Sequence, residues 1–291
     1  MTRSLQRFCV CAFLSLAAVT WVSGQAGRDF GRTARDVNPL SAAEAEIFLN
    51  SFLRTRGGMD SVLDGRLTHY PRRGERTVLP IRVFTGWRGR DLDLRIEQEP
   101  DGFAPSQRFL FLGGKSPTGW EWSLEGGLAE LPSGQLFQPL LEGMDLTAFD
   151  LLTPYLDWTE AEYVKSERVL DSPAHWFRFS PPEEWKTLLP RDGPATVMVA
   201  LDARFDAPIR VEYLNADGDV IRSLEARSFK KISDTWIVRR LEVVDERTRD
   251  RTEWRIDDAV VELVLPLETF TPDGLADTVE TTGEAPTLGK G

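Results

Sequence analysis

The sequence predicts a mainly β protein, an antiparallel meander with a few helices. From residue 61 onward, apolar and polar residues alternate in short runs, the pattern of strands with one buried face. Gly, Pro, Asp and Arg pairs separate these runs, and connections this short fit antiparallel pairing better than a parallel sheet. One apolar segment, residues 135–157, loses the alternation and takes near-helical spacing.

The first 24 residues predict a cleavable signal peptide. Arg3 and Arg7 precede an apolar run over residues 8–22, and small side chains place cleavage near Gly24. The run is shorter than the roughly 20 residues a spanning helix needs, so we expect no transmembrane segment in the mature chain and a periplasmic location. A retained amphipathic anchor is the alternative. Residues 25–40 are predicted to be a flexible lead-in.

Export removes the two cysteines, Cys9 and Cys11, so neither a disulfide nor a thiolate site is expected afterwards. Gln25 stands where a lipid-attachment cysteine would follow the cleavage point. Loss of Arg3 and Arg7 shifts the formal net charge from −11 to −13. That balance argues against nucleic acid and anionic headgroups as electrostatic partners of the surface as a whole.

A single domain is predicted over residues 41–275. Ser41 and Glu44 have capping-box spacing and begin a helix that ends at Gly57, with a stripe formed by Ala43, Ile47, Phe48 and Phe52. The clearest strand follows, in which Leu92, Leu94 and Ile96 alternate with charged residues.

The apolar segment predicts one or two short helices, with Thr147 and Asp150 at a helix start and Pro154 limiting its length. Strands then resume, and Asp217-Gly218 is a strong hairpin signal. Residues 276–291 are predicted to be a disordered tail.

The residues predict no enzyme, metal or cofactor. His69 and His175 lie in different strands; His69 is expected to be exposed, and His175, which shares parity with Phe177, partly buried and hydrogen-bonded. Residues 113–116 (GGKS) lack the earlier glycine of a phosphate-binding loop and are interpreted as a hairpin turn. Acidic pairs such as Glu183-Glu184 and Asp257-Asp258 are interpreted as solvated.

The aromatic content leaves two interpretations open. Nine tryptophans either fill a large β core or surround an incompletely filled cavity for an apolar ligand. In the second case the helical segment would be a lid, formed by Leu140, Leu141, Met144, Leu146, Phe149 and Leu152.

The order of these elements resembles the LolA-like outer-membrane lipoprotein-sorting family. The likeness is carried by 143–151 (GMDLTAFDL) with 155–158 (YLDW), 199–202 (VALD), 208–213 (PIRVEY), the turn 217–218, 229–232 (FKKI), 234–236 (DTW), 251–254 (RTEW), and Leu265-Pro266 with Phe270-Thr271. It spans roughly residues 41–275 and fits an uncharacterised branch of the family.

The resemblance implies an antiparallel half-barrel with helices covering its concave face. It also implies a non-enzymatic periplasmic carrier or binding protein for lipoprotein acyl chains or other lipid. The alternative is an envelope sensor or scaffold module that binds a protein partner, such as an envelope membrane protein. The expected lipid-contacting residues are Val83, Leu94, Phe109, Phe111, Trp120, Trp122, Leu146, Phe149, Val199 and Val211.

Overall fold

A computed structural model describes residues 37–98, 107–205, 207–232 and 235–280. Within them lie three α-helices: α1 (Ala42–Thr55), α2 (Ala148–Leu152) and α3 (Glu183–Lys186). The strands are β1 (Asp60–Tyr70), β2 (Thr77–Arg88), β3 (Asp91–Gln98), β4 (Gln107–Leu112), β5 (Thr118–Ser123), β6 (Gly127–Leu131), β7 (Glu160–Val169), β8 (Ser172–Ser180), β9 (Thr196–Asp202), β10 (Ala207–Leu214), β11 (Val220–Ile232), β12 (Thr235–Asp245) and β13 (Arg251–Leu263).

The strands form one open antiparallel sheet, which confirms the predicted half-barrel. Its order is β6-β5-β4-β3-β2-β1-β13-β12-β11-β10-β9-β8-β7, so two meanders meet where the first strand pairs with the last. The two edge strands, β6 and β7, are consecutive along the chain. The apolar segment between them therefore runs from one edge of the sheet to the other, across its concave face.

Helix α1 begins where the sequence predicts. Ser41 and Glu44 form the reciprocal capping box, with the Ser41 backbone N–H donating to the Glu44 carboxylate at 2.8 Å. The predicted stripe is only partly right, because Phe52 is buried while Ile47 is 67% exposed and Ala43 faces solvent. Leu49 and Leu53 pack against the core instead, so the buried face is rotated from the predicted one.

The helical segment folds as predicted around Thr147. The Thr147 backbone N–H donates to Asp150 at 2.8 Å and opens α2, and Pro154 starts a short 3-10 helix over Pro154–Asp157. Phe149 lies at the centre of an aromatic cluster, with ring centroids 5.0–6.3 Å from those of Phe137, Tyr155, Trp158, Trp185 and Tyr213.

The alternation in β3 is confirmed, but its polar side is buried as well. Asp93, Arg95 and Glu97 are each at most 3% exposed. The chain after β13, residues 264–280, crosses this convex face, and we call it the C-terminal strap. Arg95 donates to the carbonyls of Gly274 (2.9 Å) and Asp277, and Phe270 packs directly on Gly86.

Contacts with the sheet continue just past residue 275, where the predicted domain ends. A 3-10 helix spans Asp273–Ala276, and Arg108 donates to the carbonyls of Leu275 and Ala276. The rest of the predicted tail, residues 281–291, lies outside the described residues. So do the predicted signal peptide, Cys9, Cys11 and residues 25–36 of the lead-in.

Candidate functional site

Eight of the ten residues expected to contact lipid lie on the concave side of the sheet or in the helical segment that covers it. All eight are at most 5% exposed and belong to one apolar core: Val83, Leu94, Phe109, Phe111, Leu146, Phe149, Val199 and Val211. They pack against neighbouring side chains. Contact between any of them and a ligand stays a prediction.

The placement of Trp120 and Trp122 is wrong. On β4, Phe109 and Phe111 point to the concave side, and the register pairs Trp120 with Leu110 and Trp122 with Arg108 instead. The Arg108 guanidinium stacks 4.6 Å from the Trp122 ring centroid while binding the C-terminal strap. Both tryptophans are therefore on the convex face, since paired residues share a side of the sheet.

Side chains fill the region beneath the predicted lid. Leu140, Leu141, Met144, Leu146 and Leu152 are each at most 5% exposed within the same core as the strands below them. Polar contacts fasten the segment to the sheet: the Asp145 carboxylate accepts from Thr252 at 2.9 Å, and Arg222 donates to Asp150. The segment is a packed part of the interior.

A groove with a volume of about 890 Å³ lies open along α1. We call it the α1 groove. One wall is α1, and the other is formed by the turns after β2 and β4 and by the chain leading into β7. Its lining comprises Ala42, Ala45, Glu46, Leu49, Asn50, Leu53, Arg90, Asp91, Lys115, Leu156, Asp157, Trp158, Thr159, Ala161, Glu162, Tyr163 and Phe177.

The α1 groove has an apolar floor and a charged rim. Ala45, Leu156 and Trp158 are nearly fully buried, and Leu49 and Leu53 lie beside them on α1. The volume falls within the roughly 300–1,000 Å³ typical of small-molecule sites, and about half of the lining residues are polar or charged. The apolar side chains that the groove leaves partly accessible on α1 are Leu49 and Leu53.

An ion pair fixes the end of α1 beside the groove. The Arg56 guanidinium donates to the Asp157 carboxylate at 2.9 Å, and Arg56 is 5% exposed. Burial lowers the pKa of Arg56, while the nearby Asp157 charge opposes that shift. This contact joins the helix to the chain just before β7.

None of the ten predicted residues lines the α1 groove. Its floor comes from α1 and from residues 156–158, which come just before β7. The sequence predicted an apolar stripe on α1 but no groove beside it. One feature of the sequence could have indicated this groove. A single amphipathic helix that precedes an open sheet is expected to cover part of the opening of that sheet. Which side chains it leaves accessible depends on tertiary packing.

The structure confirms the prediction for one histidine and corrects it for the other. His175 is 6% exposed and its Nδ1 lies 2.7 Å from Ser166 Oγ, which confirms a buried, hydrogen-bonded histidine. His69 was expected to be exposed, but its Nδ1 lies 3.1 Å from Asp145 Oδ2 and its side chain is only 15% exposed. The helical segment covers it, which the local sequence could not indicate.

No cluster of three His, Cys, Asp or Glu side chains suited to a metal ion occurs among the described residues. Residues 113–116 form the turn between β4 and β5, as predicted. No helix within the described ranges has the length and apolar character needed to cross a bilayer.

Comparison with known proteins supports the fold. A protein-family model described as "Uncharacterized protein" matches residues 141–277, and no curated protein matches the sequence. A domain from Vibrio parahaemolyticus, whose proposed role is outer membrane lipoprotein sorting, has a TM-score of 0.69 at 15% identity, covering 79% of this chain and 97% of that one.

Two further solved structures agree. A DUF1329 family protein from Desulfovibrio piger has a TM-score of 0.66 at 14% identity, over 79% of this chain and 96% of its own. A LolA superfamily protein from Nitrosomonas europaea has a TM-score of 0.59 at 14% identity, covering 79% of this chain and 98% of that one. The chain therefore has the LolA-like fold that its sequence motifs indicated.

Proposed function

We propose that this chain is a non-enzymatic periplasmic protein that binds acyl chains of lipoprotein or other lipid in the α1 groove. One observation carries the proposal: a groove of about 890 Å³ with an apolar floor lies open along α1. Transferring an acyl chain from water to such a floor is favourable by about 0.8 kcal/mol per CH₂. Binding of this kind requires neither metal nor nucleotide.

The fold also supports the proposal that the chain binds acyl chains. The Vibrio parahaemolyticus domain, whose proposed role is outer membrane lipoprotein sorting, and the LolA superfamily protein have a fold similar to that of this chain. A carrier must release its cargo, and a groove bounded by one helix offers reversible burial. The deep concave core, which is filled, would not serve this purpose without a large rearrangement.

Variants on the two faces of α1 test the proposal. Leu49→Gln with Leu53→Gln places amides on the groove floor and should weaken binding of a fluorescent fatty acid at least tenfold. Ile47→Gln, on the 67% exposed face of the same helix, is the matched control and should bind as the wild type does. Equal binding by both variants would argue against the groove.

Native mass spectrometry of protein purified from a periplasm tests the cargo. We expect a bound lipid that organic extraction removes. Protein that is lipid-free and has no affinity for lipid or lipoprotein would count against carriage. N-terminal sequencing of the exported form tests cleavage near Gly24.

A second candidate is a sensor or scaffold module that binds a protein partner. The filled interior beneath the helical segment favours it, because such a module needs no internal cavity. Cross-linking that recovers an envelope membrane protein, from protein carrying no lipid, would support this function over carriage.

A further inference from the structure

The charges around the α1 groove are distributed unevenly. The end near the C-terminus of α1 carries Arg90 and Lys115, from the turns after β2 and β4, and also the carboxylates of Asp91 and Asp157, of which Asp157 is paired with Arg56. The end near the helix N-terminus carries Glu46 and Glu162. The groove thus has a positive end and a negative end.

The two turns at the positive end lie side by side. The Gly113 backbone N–H donates to Asp93 at 3.1 Å, and a Cβ on Gly114 would lie only 3.0 Å from the Asp91 carboxylate. The same β2–β3 turn meets the end of α1, since a Cβ on Gly57 would lie 3.1 Å from the Gly89 carbonyl oxygen. Arg90 and Lys115 therefore project from one continuous rim.

Both cations are available to a ligand. Arg90 and Lys115 are exposed, and neither has an ion-pair partner among the residues that the structure describes. Of the two carboxylates at this end, Asp157 pairs with Arg56, while Arg88 pairs with Asp93, which leaves Asp91 as a carboxylate beside the two cations. The cations therefore exceed the remaining carboxylate charge by one. Two cations thus face the groove at the end of its apolar floor.

We infer that the α1 groove selects an acyl chain that ends in an anionic group, a carboxylate or a phosphate, bound by Arg90 and Lys115. The chain would extend from there past Leu53 and Leu49 toward Ala45. Guanidinium and ammonium groups suit both anions, because their hydrogen bonds to an anion are charge-assisted. A fully acylated lipid with no charged end would leave both cations unused.

This inference rests on the proposed function and specifies its ligand class. Within the groove, it also reverses the expectation that anionic headgroups are disfavoured. The formal net charge of −13 expected after loss of Arg3 and Arg7 argues against anionic headgroups for the surface as a whole, but a ligand seated in the groove faces Arg90 and Lys115 at short range. Charges more than about 10 Å away are largely screened at 0.1 M salt.

The test compares a fluorescent fatty acid with its methyl ester, which has the same chain and no charge. Two exposed charge contacts, each worth a few-fold, predict about tenfold tighter binding of the acid at low salt. The preference should shrink as salt is raised. Arg90→Ala with Lys115→Ala should bind acid and ester alike.

Arg73→Ala with Arg191→Ala is the matched control, because both arginines are exposed and lie outside the α1 groove. It should keep the preference for the acid. A wild type that binds acid and ester equally, or a double variant that keeps the preference, overturns the inference while leaving acyl-chain binding intact. Failure of the wild type to bind either probe overturns the proposed function as well.

Lysophosphatidic acid in a parallel titration separates the two anions. Tighter binding than the fatty acid assigns the end group as phosphate, and weaker binding assigns it as carboxylate. Displacement of the fatty acid by inorganic phosphate at equal concentration would contradict the requirement for an attached chain.

Discussion

Arg95 shows how this fold places a charge in its interior. Its side chain is fully buried, the guanidinium lies 2.6 Å from the Glu97 carboxylate, and the carbonyls of Gly274 and Asp277 in the C-terminal strap each accept a hydrogen bond from it. Burial lowers the pKa of Arg95, and the Glu97 charge opposes that shift. A buried charge is tolerated when its hydrogen bonds are satisfied in this way.

Removing the guanidinium should therefore be costly. We expect Arg95→Ala to lower the free energy of unfolding by about 3–5 kcal/mol, because Glu97 is left buried with only Arg108, 3.7 Å away, as a cation. Arg73→Ala, on the surface, should change it by less than about 0.5 kcal/mol. Urea denaturation measures both, and equal values would contradict the role given to Arg95.

The burial of His175 predicts that the stability of the protein depends on pH. Burial lowers its pKa below the ordinary 6.5, and the charge of Asp202 opposes this. The unfolded chain therefore binds a proton at a higher pH than the folded protein does. The stability linked to His175 is complete above about pH 6.5 and is lost as the pH falls through the folded-state pKa.

His175→Asn should flatten this dependence, since an amide does not titrate. Between pH 7 and 5 the wild type should lose more stability than the variant, whatever their difference at pH 7. Thermal melts across the range measure it. Parallel pH profiles for the two proteins would show that another group carries the dependence.

At the scale of elements, the C-terminal strap holds the convex face of the first meander. Leu275 is fully buried, Phe270 covers Gly86, and Leu265 of the strap packs in an apolar cluster with Val62, Phe84 and Leu263. The strap closes a face that the alternation in β3 alone would leave to solvent.

Truncation tests the strap. Ending the chain after residue 269 should lower the free energy of unfolding by about 3 kcal/mol or more, because burial of Leu275 alone contributes about 1.5–3 kcal/mol. Ending it after residue 280 keeps every described strap contact and should leave stability unchanged. Equal loss in both truncations would place the important contacts beyond residue 280.

The elements that sequence predicts best are those specified by neighbours in the chain. The capping boxes at Ser41 and Thr147 depend on residues three positions apart, and the period of β3 depends on adjacent side chains. The strap was missed because its contacts join Arg95 to Gly274, which lies far along the chain. The alternation of apolar and polar residues along a strand defines its two faces, but it does not indicate which face is concave. For this reason Trp120 and Trp122 were predicted on the wrong face.

For the whole molecule, the decisive feature is that the sheet stays open. β6 and β7 do not pair with each other, and the segment that links them fills the concave interior while α1 borders the opening. An accessible apolar surface lies along α1. This location could not be derived from the sequence, because it depends on how completely the interior is filled.

The most direct test is photo-cross-linking with a fatty acid that carries a diazirine in the middle of its chain. Peptide mapping should place saturable adducts on α1, residues 42–55, and on residues 156–163 opposite it. Excess unlabelled fatty acid should remove them. Adducts confined to the convex face, or labelling that does not saturate, would contradict acyl-chain binding in the α1 groove.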